Sequence, residues 1–212
     1  MSQQIKPIRR LRRSELPLDT INLAKYLIGK IIVRDFPEGR LSGRIVETEA
    51  YPVGDSSGHA FRGETKRNRS LFLPRGHAYV YLNYGLAYLL NVASEKPGAG
   101  AGVLVRAIEP IEGVTEMQRR RGTERLLDLT RGPGRLTQAM GIDLRFDGLD
   151  LCSAEELWLG TAAGFCGRIG QSARIGISRE THQLRRFYEE GNPFVSGPKW
   201  LSSGALAKDS PP

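Results

Sequence analysis

Cysteine is all but missing from this chain: Cys152 and Cys166 are the only two in 212 residues. With His59, His77 and His182 scattered along the sequence, they form no recognisable zinc spacing, so no metal centre is expected. No apolar run approaches the length of a membrane span, and the N-terminus has no hydrophobic leader core. These absences point to a cytoplasmic protein with reduced thiols, nucleoid-associated if bacterial, and without a membrane partner. Lysine is scarce too. Of 31 basic residues only seven are lysine (Lys6, Lys25, Lys30, Lys66, Lys96, Lys199, Lys208); the rest are arginine, whose planar fork suits bidentate phosphate recognition. Internal repeats and linker-like stretches are also lacking. A chain of 212 residues is then expected to form one domain large enough for its own core.

What is present is positive charge. Thirty-one basic residues against 23 acidic ones give +8 and a pI near 9.8, a balance that favours a polyanionic partner, most commonly nucleic acid. Against that background one stretch is acidic. From Ile45 through Gly58 there is no Lys or Arg, and within it Glu47 and Glu49 alternate behind the β-branched Ile45 and Val46. The segment Gly43–Tyr51 reads as a strand that leaves the core. Side chains two apart share a strand face, which sets Glu47 and Glu49 together about 7 Å apart.

In chain order, residues 1–17 are polar, with Arg9, Arg10, Arg12 and Arg13, and are expected to form a loose arm able to touch phosphates. Asp19 should cap a helix with Ile21, Ala24, Leu27 and Ile28 on its apolar face and Gly29 as its stop. Lys30 to Arg34 is a short strand, turned by Phe36–Gly39 into the Glu49 strand. Residues 52–69 are loop by composition, holding His59 and a basic run through Arg69; a loop of that length is expected to be functional. Gly76–Asn83 and Leu86–Val92 should pair as a hairpin around Tyr84-Gly85, with Tyr79, Tyr81, Tyr84 and Tyr88 as a stacking platform for bases. Gly102–Ile108 is a core strand interrupted by Arg106, which needs a partner, and the Glu47/Glu49 strand end is the one proposed. A helix over Ile111–Arg121 follows. Then Arg131-Gly-Pro-Gly-Arg135 enters a helix running to Met140, a plausible phosphate seat without the P-loop pattern. Leu157–Leu159 and Arg174–Ser178 are expected strands, 162–170 a loop, Leu184–Tyr188 a short ordered segment, and 201–212 a frayed tail.

Two carboxylates on one face admit an inverting O-glycosidase, but a neutral sugar needs no positive surface. A non-enzymatic nucleic-acid-binding module explains the arginines and tyrosines but not a cation-poor acidic strand. A base-flipping N-glycosylase explains both: it grips phosphates, stacks the extruded base on aromatics and aims a water at the anomeric carbon, for which one ionised carboxylate suffices. Only Lys66 lies in the candidate site loop, so an amine nucleophile is not expected.

Taken together, Gly43–Tyr51, His59, Arg62-Gly63, Thr65–Asn68, Gly76–Gly85, Leu90–Val92, Leu104–Pro110 and Gly132–Ala139 closely resemble the alkyladenine (3-methyladenine) DNA glycosylase family. The resemblance spans about Asp19 to Ser196, and the order and spacing of the motifs make it specific. It implies an α/β (α+β) fold: a single domain over residues 18–200 on a curved, mainly antiparallel sheet, with flanking helices and a protruding hairpin that enters the minor groove. It implies hydrolytic excision of alkylated or deaminated purines from double-stranded DNA, leaving an abasic site without strand cleavage and without metal or cofactor. A monomer is expected. By position, Glu49 resembles the general base and Arg106 the residue that helps hold the water. Tyr51, His59 and Tyr81 match the residues that sandwich the flipped base, Asn91 the pocket floor and Tyr84 the wedge. Thr65, Arg67, Asn68, Arg131 and Arg135 are candidate DNA-backbone contacts, and Glu47 is a neighbour of the base rather than a second catalyst. The chain departs from the family pattern at Ser56-Ser57-Gly58, where Pro-Ala and a Ser or Cys are usual, and at Leu71 and Leu86, where methionines are frequent. The loop change bears on substrate range more than on the chemistry.

Overall fold

The computed structural model describes residues 7–163 and 167–198. Its frame is an open antiparallel sheet in which β3 (Gly39–Tyr51) is the central strand. On one side β3 pairs along its length with β6 (Gly102–Glu112). On the other it pairs first with β2 (Ile31–Phe36) and then, beyond Ile45, with β9 (Arg186–Glu189). The path reads β1 (Arg9–Arg10), β7 (Leu157–Thr161), β2, β3, β6, β5 (Ala87–Ala93), β4 (Ala78–Asn83), with β8 (Ile169–Ser172) attached through β9.

Helices cover one face. In α1 (Thr20–Leu27) the Asp19 carboxylate accepts the Asn22 N–H at 2.8 Å, the expected cap, and the helix buries Leu23, Ala24 and Leu27. The helices α2 (Val114–Arg121), α3 (Leu126–Thr130) and α4 (Pro133–Met140) bury Met117, Leu129, Leu136 and Met140 in the same core. Proline opens α4 and Gly141, at φ 65°, ends it. Gly134 is needed where α4 meets β5, because a Cβ there would stand 2.7 Å from the Ala87 side chain.

Paired bulges on β3 and β6 decide where the acidic residues point. Ile45 faces Ile108 and Glu47 faces Ala107, so Val46 is an extra residue on β3; Thr48 then faces Val105, so Arg106 is the extra residue on β6. Ile45 and Ala50 both lie in the helix-covered core although their parities differ, whereas Val46 packs with Ala107, Tyr188, Phe194 and Val195. Without the bulge, the parity of Ile45 would carry Glu47 and Glu49 into the apolar core. With it, Thr48 turns inward, its hydroxyl donating to the Ala24 carbonyl at 2.9 Å, and the glutamates face away from α1.

Several expectations need correction. Residues 7–17 are not a loose arm: β1 extends the sheet, and Leu11 and Leu16 are buried in the core. Three of the four arginines of this stretch are engaged within the protein, Arg9 with Glu15 at 2.7 Å and Arg13 with Asp150 at 2.5 Å, while Arg10 lies over the Trp158 ring. Glu112 still belongs to β6, so the second helix starts only at Val114, beyond Gly113 at φ 73°. The sequence pattern also missed α3. The strand expected at Arg174–Ser178 is a loop, and the strand lies earlier, at Ile169–Ser172, partly inside the segment read as loop. The 201–212 tail lies outside the described residues.

Candidate active site

Glu49 has no solvent exposure, and its two oxygens meet three donors. Oε1 accepts the Ile175 N–H at 2.7 Å and lies 3.1 Å from Arg106 Nη1; Oε2 accepts the Tyr51 hydroxyl at 2.9 Å. Glu47, equally buried, accepts Arg106 Nε at 2.8 Å and Arg186 Nε at 2.7 Å on Oε1, and the Ser196 N–H at 2.6 Å on Oε2. The two carboxylates are thus matched by two arginines, with Arg106 reaching both. Burial alone would pull the Arg106 guanidinium down, but Glu49 and Glu47 outweigh it and hold it above its ordinary value. No cation lies near this pair in sequence; Arg106 arrives from β6, as proposed from the sequence, and Arg186, which was not, from β9.

Glu49 and Arg106 line a cavity of about 580 Å³, a size typical of ligand sites. Tyr51, His59, Tyr81, Asn91 and Tyr84 line the same cavity, and Glu47 does not. Tyr81 stacks on Tyr79 with centroids 5.3 Å apart and meets the His59 ring edge-on at 4.4 Å. Tyr79, fully buried, bonds His59 Nδ1 through its hydroxyl at 2.9 Å, so it sets the orientation of the imidazole. Burial against these rings, and then Arg67, hold the His59 imidazole below its ordinary value although part of the residue remains open to solvent. Burial likewise raises the Tyr81 phenol to about 12 and the Tyr51 phenol further, the latter with help from Glu49. The rings are therefore neutral hydrogen-bonding surfaces at physiological pH. At the floor, Asn91 Nδ2 donates to the Tyr79 carbonyl at 3.2 Å.

The hairpin tip stands out of the surface. Tyr84 is 90% exposed and sits at φ 48°, followed by Gly85 at φ 71°, with the Leu86 N–H closing the turn on Asn83 O at 2.9 Å. A left-handed tyrosine is strained by roughly 1–2 kcal/mol. Leu82 and Leu86 flank it, also exposed, so the tip is apolar.

Among the candidate backbone contacts, Arg67 is exposed, lies 5.9 Å from the Tyr81 ring and lines a second open cavity with Lys66 and Tyr84. Asn68 is 4% exposed; it accepts from the Thr65 N–H and hydroxyl and donates to the carbonyls of His59 and Gly63. Asn68 therefore braces the His59 loop rather than reaching outward; Thr65, whose N–H and hydroxyl donate to it, is itself exposed. Arg131 is spent on the Val195 carbonyl at 2.9 Å, and Arg135 pairs with Asp128 at 3.1 Å while remaining exposed. Neither arginine turns its side chain freely to the turn before α4, so the phosphate seat expected there is weaker than its sequence suggests.

Sequence reasoning missed a further layer. The fully buried carboxylate of Asp55 takes Arg174 and Arg185. Burial would raise the Asp55 carboxyl, but Arg174, the Ser57 N–H and Arg185 outweigh it and hold it below the usual carboxylate range. Ser56 and Ser57, two of the departures from the family pattern, bond Glu180 Oε1 at 3.0 Å and the Arg179 carbonyl at 2.6 Å, tying the His59 loop to the loop after β8. The only signal for this layer was an unexplained Asp among small residues and arginines in weakly patterned sequence. Among the described residues no group of three His, Cys, Asp or Glu is arranged to hold a metal ion, and no helix is long and apolar enough to cross a membrane.

A buried carboxylate beneath an aromatic cavity, beside an apolar hairpin tip on a basic protein, defines an enzyme that handles nucleobases. The family model described as Methylpurine-DNA glycosylase matches residues 14–193, and the chain belongs to this family of base-excision-repair DNA glycosylases, hydrolases that act on damaged purines. It is 62% identical over 191 residues to a protein of Mesorhizobium japonicum, covering 90% of this chain and 92% of that relative. It is 56% identical over 195 residues to one of Paraburkholderia phytofirmans, covering 92% of each. A relative in Chlorobaculum tepidum is 46% identical over 192 residues, with 89% of this chain and 91% of that protein covered. All three carry the name "Putative 3-methyladenine DNA glycosylase". Family membership implies that the chain binds DNA.

Proposed function

We propose that the protein, acting as a cytoplasmic monomer on double-stranded DNA, excises alkylated purines such as 3-methyladenine, together with deaminated ones, by direct hydrolysis. One observation carries the assignment of the base: of two buried carboxylates on β3, only Glu49 lines the aromatic cavity. Tyr84 fills the stack vacated by the damaged nucleotide, and the extruded base enters between Tyr51, His59 and Tyr81 over Asn91. Glu49, ionised, takes a proton from a water held with Arg106 as the water oxygen bonds to C1′ and the C1′–N bond breaks. The purine leaves with the bonding pair, and an abasic site remains. A cationic alkylpurine gains further from the π faces around it.

Gly58 lines the cavity, and a Cβ there would stand 3.2 Å from the Asp55 carbonyl and 3.7 Å from the Tyr51 Cβ. Its absence leaves room beside Tyr51, which bears on which purines fit. The test is incubation with duplex DNA carrying one alkylated purine, followed by alkali to cleave abasic sites. Alkali-dependent strand breaks that vanish in Glu49→Gln support the proposal. Intact strands with the wild-type protein, despite DNA binding, favour a binding module instead. Borohydride added during turnover should trap no protein–DNA adduct; a crosslink through Lys66 would replace water with an amine nucleophile.

A further inference from the structure

Arg174 is a buried charge that the hydrolysis above leaves without a role. Its side chain has no exposure, and it is not among the cavity-lining residues. It donates to both oxygens of Asp55, to Oδ1 at 3.2 Å, and to the Ala50 carbonyl at 2.9 Å. Its Nε has no hydrogen-bond partner among the described residues. A purely structural ion pair gains nothing from leaving a buried donor unsatisfied. What the guanidinium meets instead is the Tyr51 ring, 4.5 Å from its centroid.

That contact places one arginine behind two of the three donors to Glu49. The Tyr51 hydroxyl donates to Oε2, and the residue after Arg174, Ile175, donates its N–H to Oε1. The third donor, Arg106, belongs to β6. The partner of Arg174, Asp55, accepts the Ser57 N–H on its side chain and the Gly58 N–H on its carbonyl, immediately before His59. We infer that Arg174 is a positioning residue for the reaction: clamped by Asp55 and Ala50, it fixes the Tyr51 ring and the Ile175 N–H so that each oxygen of Glu49 keeps a donor that favours its ionised form. This rests on the glycosylase function proposed above.

The charged and titratable groups around Glu49 are Arg106 on β6, Tyr51 and Glu47 on β3, Arg186 on β9 and Tyr81 on β4, with Arg174, Asp55 and Arg185 behind Tyr51. Arg174→Lys keeps the charge but loses the fork and the flat stacking surface, so its effect separates placement from charge. A carboxylate that loses hydrogen-bond donors is protonated at higher pH, and a base is active only when ionised. The acid limb of excision must therefore move up in pH.

The experiment is single-turnover release of 7-methylguanine from duplex DNA across pH, with abasic-duplex binding and thermal melting, for wild type, Arg174→Lys and Asp55→Asn. This purine is already cationic, so its departure needs no protonation and the acid limb reports the base. For Arg174→Lys we expect abasic-duplex affinity within about two-fold of wild type, excision slower by about 10–100-fold below neutral pH, and an acid limb displaced to higher pH. Asp55→Asn, in which Arg185 loses less than Arg174 does, should shift the limb in the same direction by less. If Arg174→Lys does not fold, the direction of the Asp55→Asn limb decides alone. Slower excision with an unmoved limb, or wild-type behaviour in both, overturns the assignment. A wild-type protein that leaves the lesion in place sinks the glycosylase function itself and this inference with it.

Discussion

Glu47 accepts two guanidinium N–H bonds and a backbone N–H with no access to the cavity, whereas Glu49 shares Arg106 with it and faces the space where a base would sit. The two substitutions to Gln therefore predict opposite failures. Glu49→Gln keeps shape but cannot take a proton, so single-turnover excision should fall by about 10²-fold or more while binding to abasic duplex persists. Unchanged excision would move the base elsewhere. Glu47→Gln removes a carboxylate that pairs with both Arg186, which is fully buried, and Arg106, a change on the order of 3–5 kcal/mol. For a chain of this size that is a Tm lower by at least about 6 °C. A calorimetric scan in which Glu47→Gln melts like wild type would show that the quartet is not structural.

At the scale of elements, the β4–β5 hairpin carries strain that its sequence does not need for folding. Tyr84 holds φ 48° at a position where Asn or Gly would be relaxed, and its ring covers nothing, being 90% exposed. Tyr84→Asn should relieve about 1 kcal/mol and raise Tm by roughly 2–4 °C. The same change should slow excision of hypoxanthine opposite T while sparing excision from single-stranded DNA, where no stack has to be filled. A lower Tm, or equal loss on both substrates, would contradict the wedge. The bulges at Val46 and Arg106 are the other element-scale device. They turn β3 over in mid-strand, so one strand serves the helix-covered core at Ile45 and Ala50 and the site at Glu49 and Tyr51.

For the whole molecule the governing quantity is charge. Part of the +8 balance is carried by arginines engaged within the protein, on Glu47, Asp55 and backbone carbonyls. The basic side chains left exposed near the cavities, including Arg67, Arg179 and Lys66, are the better phosphate candidates. If about five phosphates are neutralised, log affinity against log salt should fall with a slope near −4 to −5. Fluorescence anisotropy with a short duplex at several salt concentrations gives that slope. Binding insensitive to salt would favour a neutral ligand over DNA.

Local signals were enough for part of this protein. The Asp19 cap and Gly29 stop bound α1, alternating tyrosines with Tyr84-Gly85 mark the hairpin, and Gly-Pro-Gly opens α4. Each depends on a few neighbouring residues and on backbone preferences that act within a turn or a strand. The order of motifs then names the family, because order and spacing are properties of the chain itself. Which face the two glutamates take was another matter. Strand periodicity puts Glu47 and Glu49 on one face without saying which face, and a one-residue bulge reverses the answer. The buried partners, Arg174 and Ile175 from a loop and Arg186 from a late strand, lie more than a hundred residues from the acids they serve. Arginine in sequence mostly reads as surface charge; the apolar strand around Arg106 marks that one as interior, but only packing decides that Arg174 and Arg186 are interior cations, because burial of a charge is set by the counter-charge that the fold brings to it.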